Sequence, residues 1–294
     1  MQDAIKGLWV ALATPLGQDG AIDLTETVRH AKALLADGCD GIVLFGTTGE
    51  GTSFAASERL AATEALLMAG IQADKIALGT GCPAITDTMA LTRAARTLGL
   101  THVLMLPPYF YRDVTDDGIA DAFSAILDKL ADPGLRVTLY NIPQVSGVAI
   151  SPVVAATLRA RFGAVVAGLK DSSGEFPSFR AFRAGAPDLP ILVGNEADIA
   201  RALAEGGVGT ICGMANLVPG LVRAMFTTAG AETQMRAALA LITGEFLPSI
   251  KSALAARTGQ AEWRLVRPPL TAESPALGQE ILRGIAALTA GRAA

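Results

Sequence analysis

Apolar and polar positions alternate along this chain on two scales. Short runs rich in Val, Ile and Leu begin at Gly7 (GLWVALATPL), Gly41 (GIVLFGTTGE), Lys75 (KIALGTG) and His102 (HVLMLPPY). Four more begin at Arg136 (RVTLYNIP), Ala164 (AVVAGLKDSS), Pro190 (PILVGNE) and Gly207 (GVGTICGMAN). A near-continuous apolar run is what a strand buried on both faces requires. Stretches of helical period separate the runs, for example DLTETVRHAKALLADG and SFAASERLAATEALLMAG. Ser53 and Ser57 offer helix entries, and Gly38, Gly70 and Gly99 offer helix exits.

Strand, helix, strand, helix dictates right-handed crossovers and a parallel sheet. Eight such units predict an α/β chain whose residues 1–231 form a (β/α)₈ TIM barrel. A doubly wound open sheet fits less well, because no G-x-G-x-x-G follows the first run. GTTGEG after the second run lacks the Lys-Ser/Thr ending of a phosphate loop. From about residue 232 the strand runs stop. ETQMRAALALITGEFLPSIKSALAARTG and GQEILRGIAALTAGRAA, with RPPL as a loop between them, predict a helical extension over 232–294. Its apolar content suits a segment packed on the barrel rather than an independent domain.

Composition narrows the partners. The chain has 294 residues, 51% hydrophobic and 18% charged, with a formal net charge of -4 and no basic tract. Nucleic-acid binding needs clustered Lys and Arg, so it is not expected. No stretch approaches ~18 uninterrupted apolar residues, so no membrane span is expected. MQDAIKGLWV lacks a basic-then-apolar leader. Three scattered cysteines, Cys39, Cys82 and Cys212, suit a reduced, cytoplasmic protein rather than a disulfide framework. His30 and His102 are the two histidines, and neither has a base or ligand partner in sequence. Histidine triads and metal sites are therefore not expected, and no cofactor is implied.

In a barrel of this kind, active groups lie at the carboxyl ends of the strands. The sixth run ends in a lysine, Lys170. An amine kept from water is pushed toward its neutral, nucleophilic form, which attacks carbonyl carbons. A snorkelling structural lysine is the alternative. Lys6 and Lys75 precede strands, and Lys32, Lys129 and Lys251 fall in helical patterns, which makes them poorer candidates. Tyr140 ends the fifth run and offers a proton-transferring phenol, although a core tyrosine reads equally well. GTTGE offers hydroxyls and N–H groups for a carboxylate at a helix entry. Together these suit an imine between Lys170 and a 2-oxo acid, with the iminium as electron sink. The remaining strand ends supply Tyr109, Tyr111, Ser172, Asn195 and Glu196 as further substrate contacts. Asn195 as a cap and Glu196 as a solvated helix-entry carboxylate are the structural alternatives.

GTTGEG at 46–51, YNIP at 140–143 and GLKDSSG at 168–174 resemble the dihydrodipicolinate synthase and N-acetylneuraminate lyase family. The resemblance spans essentially the whole chain. It implies a (β/α)₈ barrel, metal-free class I aldolase chemistry on pyruvate and an aldehyde, and a homotetramer built as a dimer of dimers. It also implies that Lys170 forms the Schiff base and Tyr140 transfers protons. Thr47 and Thr48 would hold the carboxylate, Thr47 within the catalytic set, and the Ile211 backbone would face pyruvate. Val145 stands where the synthases carry an arginine, and Phe110 where they lend a tyrosine across the dimer. Glu196 and Ala197 stand where the neuraminate lyases carry an acid pair. A rim of Tyr109, Tyr111, Asn141, Gln144, Ser146, Ser172 and Asn195 suits the hydroxyls of a short polyol. The expectation is therefore a lyase of a 2-keto-3-deoxy sugar acid. Synthesis of 4-hydroxy-tetrahydrodipicolinate, a family dehydratase and a silent binding protein are the alternatives.

Overall fold

All eight apolar runs form strands. They are β1 (Gly7–Ala11), β2 (Gly41–Leu44), β3 (Ile76–Gly79), β4 (His102–Met105), β5 (Arg136–Asn141), β6 (Val166–Asp171), β7 (Ile191–Val193) and β8 (Gly209–Cys212). In the computed structural model, which describes residues 4–290, they close in sequence order into a parallel barrel, with β8 pairing β1. Residues 1–3 and 291–294, the outer ends of the expected barrel and extension, lie outside the described residues.

Helices alternate with the strands: α1 (Leu24–Ala36), α2 (Ala56–Met68), α3 (Ile85–Thr97), α4 (Asp116–Leu130), the short α5 (Pro143–Ser146) and α6 (Pro152–Phe162). After β6 come α7 (Phe176–Gly185), α8 (Ile199–Ala204), α9 (Pro219–Ala224), α10 (Ala231–Ala240), α11 (Phe246–Thr258) and α12 (Pro275–Ala290). Gly38, Gly70 and Gly99 follow their helices with φ of 94°, 86° and 89°, a left-handed turn that glycine takes without a Cβ penalty. The serine entries differ from expectation. Ser53 lies in a 3₁₀ turn and Ser57 inside the first turn of α2. Ala55 caps α2 without a side-chain acceptor, and the Glu58 carboxylate accepts the Ala55 N–H at 2.8 Å, the one half of a capping box that an alanine permits.

Two apolar layers hold the barrel. The inner one contains Trp9, Val43, Ala77, Leu104, Leu192 and Ile211; the outer one joins strands to helices. Gly41 pairs with Trp9 across β1 and β2. A Cβ at Gly41 would sit 2.6 Å from the indole, so a smaller residue than alanine is required there. The helical run after residue 231 breaks between α10 and α11, and α11 packs on α12. Its connection reaches back to α1: Trp263 donates its indole N–H to Glu26 at 2.6 Å, and its ring meets His30 edge-on at 4.9 Å. Among the described residues, no helix is long and apolar enough to cross a membrane.

Both histidines are buried, and burial pushes each down to about 4. For His102 the Arg136 charge adds to that effect. A histidine held neutral in the fold takes up its proton first in the unfolded chain. Its stabilising share is complete above pH 6.5 and is lost as pH falls toward 4. Wild type should therefore lose about 2–3 kcal/mol more than His102→Phe between pH 7 and pH 4.5. Denaturant unfolding of both proteins at the two pH values checks this; equal losses would place the proton uptake elsewhere.

Candidate active site

The register of β5 and β6 sets Tyr140 beside Lys170, so both side chains point to the same face of the sheet. Tyr140 belongs to the inner layer, which fixes that face as the barrel interior. Lys170 is 4% exposed, and its Nζ lies over the Tyr140 ring, 4.2 Å from the centroid. The nitrogen thus meets the electron-rich ring face directly, with the buried Glu196 carboxylate near enough to feel its charge. The Tyr140 hydroxyl is 3.0 Å from Thr47 Oγ1, either atom being able to donate. A lysine, a phenol and a threonine hydroxyl thus adjoin one another at the carboxyl ends of three strands. Such a set can form a carbinolamine, move a proton through the phenol, and collapse to an imine.

The turn after β2 is folded tightly. Phe45 and Glu50 adopt φ of 55° and 54°, left-handed conformations that cost a non-glycine residue of order 1 kcal/mol. Its internal hydrogen bonds use the N–H groups of Gly49, Glu50 and Gly51. Those of Thr47 and Thr48 stand outside this set, beside their own hydroxyls, which suits a carboxylate. Thr47 is exposed to a cavity of about 510 Å³; Thr48 is 9% exposed and lies against Gly213.

A buried ion pair holds the turn in this shape. Lys251 of α11 donates to Glu50 at 2.6 Å and to the Thr14 carbonyl at 2.8 Å, with both charged side chains wholly buried. The second Glu50 oxygen accepts the Arg267 N–H at 2.8 Å. The sequence reading passed over Lys251 as a helical lysine. Its signal was its isolation in FLPSIKSALAA, where it is the one charged residue. Lys251→Met should destabilise the protein by about 3–5 kcal/mol, because it strands a buried carboxylate. Glu50→Gln added to it should recover at least half of the loss, since a neutral amide still accepts from Arg267. Chemical denaturation of the two variants tests the pair; no recovery would show that packing, not charge, is at stake.

Several expected contacts are committed elsewhere. Tyr109 lines the cavity, and burial raises its pKa, so it stays a neutral phenol. Tyr111 is 76% exposed on the outer surface, its ring edge-on to that of Phe110. Asn195 caps a 3₁₀ turn, its oxygen accepting from Ala197 and its amide donating to Asp198 at 2.6 Å. The Glu196 carboxylate is buried and accepts the N–H groups of Gly213 and Met214 at 2.9 Å, bracing the loop after β8. That burial raises its pKa, which the two N–H groups and Lys170 oppose. Ser172 turns its hydroxyl toward Gly194, which Lys170 also approaches, and the hydroxyl is buried without a hydrogen-bond partner. Ile211 places its side chain in the inner layer, on the strand β8, which leaves the expected role of its backbone untouched. Asn141, Gln144 and Ser146 are also engaged, with Asp171, the Ser172 carbonyl and the Ile142 carbonyl respectively. Four members of the polyol rim suggested by the sequence, Asn141, Gln144, Ser146 and Asn195, thus bond to the protein, while the hydroxyl of Ser172 is buried without a partner.

No group of three or more His, Cys, Asp and Glu side chains is placed to hold a metal ion among the described residues. The three cysteines are free thiols, and burial pushes Cys39 up to about 12.

Fold and site together define an α/β-barrel lyase of the class I aldolase type, the enzymes that act on pyruvate. The profile of the Dihydrodipicolinate synthetase family matches residues 4–272, and the chain belongs to that family. An uncharacterized DapA-like lyase of Chloroflexus aurantiacus is 36% identical over 282 residues, 92% of this chain and 94% of that protein. A 4-hydroxy-tetrahydrodipicolinate synthase of Persephonella marina is 37% identical over 218 residues, 73% of this chain and 71% of that protein. The crystal structure of dihydrodipicolinate synthase from Agrobacterium tumefaciens superposes with a TM-score of 0.91 at 35% identity. It covers 97% of this chain and 99% of the other.

Proposed function

We propose that this lyase makes or breaks a carbon–carbon bond between pyruvate and an aldehyde through an imine on Lys170. The observation that carries this reading is the contact of Lys170 with the Tyr140 ring, whose hydroxyl meets Thr47. In this reading Lys170 attacks the carbonyl, Tyr140 carries protons to and from the reacting oxygens, and Thr47 and Thr48 hold the carboxylate. In the same reading the chain up to residue 231 is the catalytic barrel, and the helical extension from residue 232 packs on it. A homotetramer made of two dimers belongs to the same reading. The exposed Phe110 and Tyr111 are the kind of apolar surface a subunit contact covers. A cytoplasmic setting accords with the free thiols.

Borohydride reduction in the presence of pyruvate tests the reading directly. It should add a lactyl group to the peptide that contains Lys170. An adduct on another lysine, or none at all, would sink it. Val145, half exposed in the cavity wall, and Phe110 both argue against aspartate semialdehyde as the aldehyde. The synthase named among the relatives marks that substrate as the comparison to run.

A further inference from the structure

The walls of the 510 Å³ cavity have a chemistry of their own. Thr47 and Tyr140 line it, and Lys170 lies on the ring of Tyr140, so the cavity is room for whatever is joined to pyruvate. Leu104, Leu106 and Ile142 form one side. Phe246, Leu247 and Leu270, from the segment beyond the barrel, form another. Phe246 reaches the reacting end: a Cβ at Gly213 would lie 2.5 Å from its ring and 3.0 Å from Thr48 Oγ1.

Three of the polar side chains in the lining are already engaged, and the hydroxyls of Tyr109, Thr52 and Ser53 are few against the apolar wall. Glu50 is bound to Lys251 and to the Arg267 N–H. Ser146 donates to the carbonyls of Ile142 and Val148. Arg59, 5% exposed, gives Nε to the Phe54 carbonyl and Nη1 to the Gly79 carbonyl. Glu245 sits on the lining and is exposed, where it opposes a second anion. A polyol tail here would bury more hydroxyls than the wall can partner, which is costly. An apolar tail would exchange water for carbon contacts, which is favourable.

We propose that the aldehyde of this lyase carries an apolar tail, aromatic or branched aliphatic, with no second carboxylate. The proposal rests on the imine reading above. In the cleavage direction the 4-hydroxy-2-oxo acid forms an iminium on Lys170 with loss of water. The C3–C4 bond breaks, its electron pair passes to the iminium, and the C4 hydroxyl proton leaves through Tyr140. The aldehyde departs; the enamine takes a proton at C3. Water then hydrolyses the iminium to pyruvate and free Lys170.

The test compares kcat/KM for pyruvate release from 4-hydroxy-2-oxo-4-phenylbutanoate and from 2-keto-3-deoxygluconate. Condensation of pyruvate with aspartate semialdehyde is measured on the same sample. The phenyl substrate should exceed both others by at least ~10-fold, the scale of discrimination in an apolar pocket. Phe246→Ala should lower the phenyl-to-polyol ratio by about 10-fold. A faster polyol, a faster semialdehyde or an unchanged ratio in the variant would each overturn the proposal. Borohydride trapping with pyruvate alone separates the two levels. A Lys170 adduct with no phenyl preference removes the tail assignment and leaves the imine reading intact. No Lys170 adduct removes both.

Discussion

Lys170→Ala is expected to lower pyruvate-forming turnover on the order of 10⁴–10⁶-fold, the scale seen when a covalent nucleophile is removed. It should also abolish borohydride trapping. The size of the effect follows from where the other lysines sit. Lys251 is wholly buried and paired with Glu50; Lys6, Lys32 and Lys129 are exposed on the outside; and Lys75 lies before β3, at the opposite end of the barrel. None can reach the ring of Tyr140 in place of Lys170. The loss should not come from unfolding. Lys170 pays for its position with dehydration, and its contact is a ring face rather than a carboxylate. Lys170→Met keeps the apolar stem and removes the charge, so its Tm should equal or exceed that of wild type. A variant that is inactive and markedly less stable would mean that Lys170 is a structural residue. A variant that still forms the pyruvate adduct would place the imine on another lysine.

Tyr140→Phe is expected to reduce turnover about 10²–10⁴-fold, the usual contribution of a positioned acid–base group. The ring that faces Lys170 is kept, so the pyruvate adduct should still form, more slowly. The hydroxyl lost is bonded to Thr47, a contact worth about 1 kcal/mol, so the fold should survive with a small fall in Tm. Single-turnover kinetics with pyruvate and borohydride distinguishes proton transfer from packing. A rate of adduct formation equal to wild type, with full turnover, would leave the phenol only a core side chain. Tyr109 lines the same cavity, but Thr47 and Lys170 are in contact with Tyr140.

The barrel was legible because its cause is local. A strand buried on both faces is apolar at every position, and an αL glycine ends a helix by its own conformational freedom. Eight apolar runs and glycines such as Gly38, Gly70 and Gly99 therefore located the strands and helix ends, and they put Lys170 and Tyr140 at strand ends. Which side chains face the cavity was decided by partners far along the chain. Glu196 turns to N–H groups 17 and 18 residues away, and Lys251 meets a carboxylate 201 residues away. Asn195 and Tyr111 are polar residues at strand ends like Tyr140, but Asn195 bonds within its own turn and Tyr111 is exposed, which their residue types do not foretell. Phe246 carried no signal at all, since only the closed barrel brings the start of α11 onto Gly213 and Thr48. A hydrogen bond or an apolar contact is a property of two places in space, and the sequence specifies one of them at a time.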